Sequence, residues 1–247
     1  MTLNLKEINW EYVGAIAIIV GVILYVISTL VSRFDPTGFI ISVNIANYLQ
    51  SVNNSRVIIT IINLIEILSF LAFLPGIIAF KQFFSEDFRV RKRDFLIWVP
   101  TIGMFLGIII TITSLIMNLI ITLKIAPDFL NAIEPEKTQI ANQAAKLLSA
   151  KNILSIIGLV FVYATGAGGF AIFGFQKVII PTWLNWLGVA GGILNLGYLG
   201  YLGSQLIAQI FSWIIFVGIF CILTWLLSTA RLIMQLNKYQ ERIVKSY

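Results

Sequence analysis

The stretch "VIITIINLIEILSFLAFLPGIIAF", residues 57–80, decides the fold class of this chain. Glu66 is its only charged residue. A helical run of about 18 or more apolar residues is long enough to cross the hydrocarbon core of a bilayer, which is roughly 30 Å thick. The stretch therefore predicts a membrane-spanning helix that carries a carboxyl group near its middle.

The composition of the whole chain extends this prediction. The chain has 247 residues, of which 59% are hydrophobic and 11% are charged, and its mean hydropathy is +0.94. Soluble domains are roughly 45–50% apolar and about 25% charged. Because the apolar residues also come in long uninterrupted runs, we expect an integral membrane protein.

The apolar runs predict an all-α integral membrane bundle of six transmembrane helices, which forms a single transmembrane domain over residues 1–247. The first run is longer than the apolar region of a signal peptide and lacks an A-x-A-like cleavage site, so we interpret it as a retained helix. The short connection "GSQ", residues 203–205, predicts that the last two spans form an antiparallel hairpin. The predicted spans cover residues 13–31, 57–80, 96–122, 153–175, 184–203 and 206–230.

The basic residues predict the orientation of the bundle, since Lys and Arg are retained preferentially on the cytoplasmic side. Of the 17 basic residues, eleven fall on the side that carries both termini. We therefore expect a plasma-membrane protein with cytoplasmic N- and C-termini. The loop "KQFFSEDFRVRKRD", residues 81–94, is the strongest evidence for this orientation, because it is short and carries five basic residues. Its basic cluster could also contact anionic lipid headgroups, and the candidate residues are Arg89, Arg91, Lys92 and Arg93.

Two longer external loops have helical periodicity. Apolar residues recur at i, i+4, i+7 and i+8 in "FIISVNIANYLQ", residues 39–50, and again in "EPEKTQIANQAAKLLSAKN", residues 134–152. This spacing predicts two amphipathic helices. Each could lie in the outer membrane interface or cap the bundle.

Small residues recur at a spacing that allows helices to approach closely. We expect these positions to lie at helix–helix contacts. The small-xxx-small pairs are Gly103 with Gly107, Ala164 with Gly168, and Gly188 with Gly192.

The residues that the chain lacks exclude several classes of function. Histidine is absent and Cys221 is the single cysteine, which removes His-dependent catalysis, most zinc chemistry and a disulfide framework. We therefore expect a non-enzymatic protein with no catalytic residues, no metal site and no cofactor. The net charge of +6 follows from membrane topology, because the basic residues lie between apolar runs, and it does not indicate nucleic acid. The expected partners are membrane lipids and a second copy or other membrane subunits.

Two stretches carry a family resemblance. The Asn-rich segment "NIANYLQSVNNSRVIITIINL", residues 44–64, runs into the second span, and "KVIIPTWLNWLGVAGGILNLGYL", residues 177–199, leads into the fifth. This order of features resembles a prokaryotic six-helix membrane family catalogued as domain of unknown function 4386. The resemblance implies a six-span membrane domain and brings no established activity or catalytic residues.

Glu66 is the one acidic residue of eleven that falls within a predicted span. A charge at the bilayer centre costs about 3 kcal/mol on insertion scales, and no basic residue lies at a comparable depth. Burial without a cation disfavours the charged form, so we expect a neutral carboxyl group that is hydrogen-bonded to a neighbour. The candidate partners are Asn63, Ser69, Tyr163, Thr165 and Asn195, with Asn118 as a weaker candidate.

Three interpretations of Glu66 stay open. It could be a structural hydrogen-bonding group between helices, or a proton- or cation-binding site of a small transporter or channel with a flexible point at Pro75–Gly76. It could also act with Tyr163 as a polar anchor for a lipid or isoprenoid-like molecule. The leading hypothesis is a non-enzymatic multi-pass membrane protein with a structural or binding role, which includes the binding of a lipid or another hydrophobic ligand. The alternative is the transporter or channel.

Overall fold

The computed structural model describes residues 9–32, 44–85, 95–202 and 205–245. The basic cluster of residues 89–93 and the first part of the predicted helix in loop 39–50 lie outside the described residues. Within the described ranges every regular element is helical, and these are nine α-helices, two π-helical segments and one 3-10 segment. In chain order they are α1 (Trp10–Val31), α2 (Ile45–Asn54), α3 (Arg56–Ser85), α4 (Trp98–Ile120), a π segment (Ile121–Ile125), α5 (Ala126–Asn131), α6 (Glu136–Val160), a second π segment (Phe161–Gly168), α7 (Gly169–Gly174), α8 (Thr182–Asn195), the 3-10 segment (Leu196–Leu202) and α9 (Gln205–Lys245).

Five stretches of the described chain are long and apolar enough to cross a membrane. They correspond to the first four predicted spans and to the sixth. The all-α, multi-pass architecture that the sequence predicts is therefore confirmed at the level of five candidate spans. These stretches are Trp10–Val31, Arg56–Ser85, Trp98–Asn131, Glu136–Gly174 and Ile210–Tyr239.

The predicted fifth span, residues 184–203, has a different structure from the other five. Its α-helical part is α8, which has 14 residues. The chain then continues as a 3-10 helical segment of 7 residues. An α-helix of about 20 residues is needed to span the hydrocarbon core. The count of six spans therefore stays a prediction.

The predicted helix within loop 134–152 is not a separate element. Helix α6 begins at Glu136 and runs without a break to Val160. No glycine or proline occurs from Glu136 to Ile157, so no residue in this stretch terminates the helix. The loop helix and the fourth span are parts of one long helix.

Helix α2 packs on the end of the bundle. The Asn44 side chain caps it by accepting a hydrogen bond from the backbone N–H of Ala46 at 3.0 Å. Tyr48 and Leu49 are buried, and with α5, the first π segment and parts of α3 and α6 they form a second hydrophobic core. The described part of the predicted apolar stripe, which includes Tyr48 and Leu49, thus packs against protein.

Helices α1 and α3 cross at small residues. A Cβ atom on Gly14 would lie 2.5 Å from the Pro75 carbonyl oxygen, so the two backbones are nearly in contact there. Farther along, the Ser69 hydroxyl donates to the Gly21 carbonyl across the interface at 2.8 Å. This close crossing sets the face of α1 that meets Glu66.

The predicted small-residue pairs lie at helix contacts, as expected. A Cβ atom on Gly107 would lie 2.6 Å from the backbone nitrogen of Val162, so α4 and the second π segment approach through backbone atoms. A Cβ atom on Gly192 would lie 2.9 Å from the Cα atom of Gly168. Packing at this separation is available only to residues without large side chains.

The start of α1 and the last part of α9 meet at one end of the bundle. The Asn9 side-chain amide, just before α1, donates to the Asn237 side-chain oxygen near the end of α9 at 2.8 Å. Phe80, Phe170 and Trp225 belong to a cluster of aromatic rings in the core. The centroid of the Phe80 ring lies 5.6 Å from that of Phe170 and 5.5 Å from that of Trp225. These contacts join the first, second, fourth and sixth predicted spans into one body.

Candidate functional site

Glu66 is the eleventh of the 30 residues of α3 and faces the last turn of α1. Its side chain is half-buried, and its Oε1 atom lies 3.4 Å from the hydroxyl oxygen of Ser28 on α1. Ser28 is completely buried. The carboxyl group is therefore held against a polar group of the neighbouring helix.

The Ser28 hydroxyl has two neighbours and one proton. It donates to the Tyr25 carbonyl oxygen at 2.9 Å, and a carbonyl can only accept. The contact with Glu66 is longer, at 3.4 Å. Because a hydroxyl has a single proton, both contacts become full hydrogen bonds at the same time only when Glu66 is protonated and donates to Ser28. The geometry thus fits a neutral carboxyl group.

Three buried tyrosines lie beside this pair. The ring centroids of Tyr25 and Tyr163 are 6.1 Å apart in an edge-to-face arrangement. The Tyr25 side chain interacts with those of Tyr163 and Tyr198, and a charge on Glu66 would act on all three tyrosines. We call Glu66, Ser28, Tyr25, Tyr163 and Tyr198 the carboxyl–tyrosine cluster. It is assembled from α1, α3, the second π segment and the 3-10 segment.

The Tyr163 hydroxyl has unused hydrogen-bonding capacity. Its side chain is 0% exposed, and the hydroxyl makes no hydrogen bond of standard geometry with a described residue. Leaving a buried polar group unsatisfied costs about 1–3 kcal/mol. The Tyr163 hydroxyl can therefore take part in a further hydrogen bond within the cluster.

The helices that meet at the cluster depart from regular α-helical geometry. Tyr163 lies in the π segment Phe161–Gly168, and Tyr198 lies in the 3-10 segment Leu196–Leu202. Helix α3 contains Pro75, which removes the amide that would bond the carbonyl four residues earlier. π and 3-10 segments within helices are frequent at functional sites, and here they supply Tyr163 and Tyr198.

Of the partners that the sequence predicts for Glu66, Tyr163 is the one that joins the cluster. Asn63, one turn away, donates its amide to the Ile59 carbonyl at 2.8 Å and accepts from the Asn118 amide at 3.1 Å. This pair joins α3 to α4. Asn118, the weaker candidate, therefore bonds to Asn63.

The remaining candidates make other contacts. Ser69 bonds to Gly21 at the crossing of α1 and α3. Thr165 is half-buried and lines a groove of about 220 Å³ between the second π segment and α8. Asn195 donates to the Gly191 carbonyl at 2.8 Å within its own helix, at the contact with Gly218 of α9. Ser69 and Asn195 thus direct their donors to backbone carbonyl groups.

Sequence reasoning missed Ser28, Tyr25 and Tyr198. Ser28 and Tyr25 are three residues apart on α1 and share a face, because i and i+3 positions lie on the same side of a helix. That spacing was the available signal. It becomes a site only when α1 is known to pack against α3.

Comparisons of the chain with known protein families, with curated proteins and with solved structures find no match. The resemblance to domain of unknown function 4386 accordingly stays a prediction.

Proposed function

We propose that this protein is a non-enzymatic, multi-pass protein of the plasma membrane with a binding role, and that its carboxyl–tyrosine cluster binds a proton on Glu66. The observation that carries the proposal is that the Ser28 hydroxyl, which has a single proton, lies 2.9 Å from the Tyr25 carbonyl oxygen and 3.4 Å from Glu66 Oε1. A second proton on Glu66 completes the hydrogen bond between α3 and α1. Proton occupancy therefore controls a contact between two membrane helices.

The proposal includes six crossings of the membrane, and α8 together with the 3-10 segment forms the fifth crossing. The 14 residues of α8 rise about 21 Å, and the 7 residues of the 3-10 segment add about 14 Å. The sum of about 35 Å exceeds the hydrocarbon thickness of roughly 30 Å. An even number of crossings also agrees with the contact of Asn9 and Asn237 at one end of the bundle, and the excess of basic residues assigns that end to the cytoplasm.

Infrared spectroscopy tests the bound proton. We expect the wild type in lipid at neutral pH to show the carbonyl band of a protonated carboxyl group, and we expect Glu66→Gln to lack it. Glu134→Gln is the matched control, because Glu134 is an exposed carboxylate that accepts from Thr138 at 2.7 Å. Absence of the band from the wild type would show that Glu66 is ionised and that the proposal is wrong.

A second candidate function is proton- or cation-coupled transport through Glu66. The observation in its favour is that a π segment and a 3-10 segment supply two of the tyrosines beside one carboxyl group. Transporters place irregular backbone at their substrate and ion sites.

Proteoliposome flux separates the two candidates. If the protein transports protons or cations through this site, Glu66→Gln abolishes the flux and Glu134→Gln retains it. Flux that survives Glu66→Gln excludes a transport role for Glu66. In that case only the infrared band of the protonated carboxyl group tests whether Glu66 binds a proton.

The packing of the rings argues against a hydrophobic ligand at this cluster. Tyr25 also packs edge-to-face on Phe70, with centroids 6.1 Å apart, and Tyr163 is completely buried. Side chains therefore fill the space between the tyrosine rings, where a lipid or isoprenoid-like molecule held by both Glu66 and Tyr163 would have to lie. The proposal is therefore limited to a proton or a small cation.

A further inference from the structure

A second feature of the bundle lies away from Glu66. A groove of about 410 Å³ opens between α1, α3 and α4, and this volume is in the range of roughly 300–1,000 Å³ that is typical of ligand sites. Its described lining is apolar except for Thr101. The residues that shape it include Trp10, Pro75, Ile78, Trp98, Ile102 and Phe105.

A cation lies at one end of this groove. The Lys81 ammonium nitrogen is 3.6 Å from the centroid of the Trp98 ring, and Trp98 itself lines the groove. Along α3, Lys81 is six residues beyond Pro75, which corresponds to about 9 Å. The ring attracts the ammonium group electrostatically and holds the charge next to the apolar surface.

The tryptophans place this end of the groove at the membrane interface. Trp10 begins α1 and Trp98 begins α4, and both are exposed. Exposed tryptophans at the ends of membrane helices sit at headgroup depth. Lys81, packed on one of them, is therefore level with lipid phosphates, while the groove extends from it toward the hydrocarbon core.

We propose that this groove binds an anionic phospholipid, with one acyl chain in the apolar groove and the phosphate on Lys81. The apolar walls accept an acyl chain of any phospholipid. The ammonium group, which has three hydrogens to donate, selects for an anionic headgroup, because a zwitterionic headgroup also presents a positive charge to it. Basic groups between membrane helices on the cytoplasmic side are the usual sites of such recognition.

The charge is tested with the full-length protein in nanodiscs that contain equal amounts of phosphatidylcholine and phosphatidylglycerol. Native mass spectrometry counts each lipid that the protein retains. We expect the wild type to retain phosphatidylglycerol preferentially, and Lys81→Gln to reduce this preference about fivefold. Lys81→Arg should keep it. Lys146→Gln is the matched control, because it removes an exposed lysine of α6, and it should also keep the preference.

The groove itself is tested by Ile102→Trp. Ile102 is 50% exposed, so a larger side chain fills the groove without entering the core. We expect this variant to retain less of both lipids. The proposal is wrong if the wild type shows no preference for phosphatidylglycerol, or if Lys81→Gln retains it as the wild type does. Neither result bears on the proton at Glu66.

Discussion

The crossing of α1 and α3 depends on Gly14, and substitution of this residue should destabilise the bundle. A Cβ atom at this position would lie 2.5 Å from the Pro75 carbonyl oxygen and even closer to the Cβ atom of Ala79. Ordinary contacts between heavy atoms are about 3.5–4.0 Å, so the helices must separate by about 1 Å. The obstacle includes backbone, which a change of side-chain rotamer cannot move.

Two opposing contributions to the free energy of unfolding set the size of the destabilisation. Overpacking of this kind costs about 1–3 kcal/mol, whereas replacing glycine by alanine in a helix gains about 1 kcal/mol. We therefore expect Gly14→Ala to lower the free energy of unfolding by about 1 kcal/mol. Gly14→Leu gains almost as much helix propensity but adds a far larger clash, so it should cost about 3 kcal/mol or more.

Reversible unfolding in mixed micelles, followed by circular dichroism, measures this difference. Gly197→Ala is the control, because its nearest neighbour would be an atom of the Phe211 ring at 3.0 Å, and a side chain can move by a few tenths of an ångström. We expect Gly197→Ala to stay within about 0.5 kcal/mol of the wild type. A Gly14→Ala protein as stable as the wild type would refute the close crossing of α1 and α3, and so would an equal loss in the control.

Two further predictions concern topology and the carboxyl group. In a Cys221→Ser background, Ser85→Cys at the end of α3 should react with a membrane-impermeant thiol reagent only from the cytoplasmic side. Lys137→Cys should react only from outside. The reverse pattern would overturn the predicted orientation. Glu66→Gln should unfold within about 0.5 kcal/mol of the wild type, because the amide can donate to Ser28 as the protonated carboxyl does, and a loss above about 2 kcal/mol would indicate an ionised Glu66.

The membrane architecture was accessible from sequence because its cause is local. Whether residues 57–80 can cross a bilayer depends on the length and hydropathy of that run alone, and the same holds for the spans that became α1, α4 and α9. The small-residue pairs around Gly107 and Gly192 were accessible for a related reason, since close approach of helices excludes large side chains.

Two parts of the predicted architecture depend on features that local pattern does not resolve. The run at residues 184–203 is mostly apolar, and hydropathy does not distinguish an α-helix from the 3-10 geometry that begins at Leu196. In α6, the polar segment before residue 153 looked separate because its composition changes. The backbone does not change there, because helix continuity is set by breakers and the stretch after Glu136 has none.

Hydropathy is enough to place a carboxyl group inside an apolar helix, without a cation near it in that helix. The groups around Glu66 depend on how the helices pack. Ser28, Tyr25 and Tyr198 reach it because glycines allow α1 and α3 to cross closely and because the second π segment and the 3-10 segment bring Tyr163 and Tyr198 to the same place. Hydropathy depends on each residue separately, whereas the partner of a buried carboxyl depends on which helix faces meet.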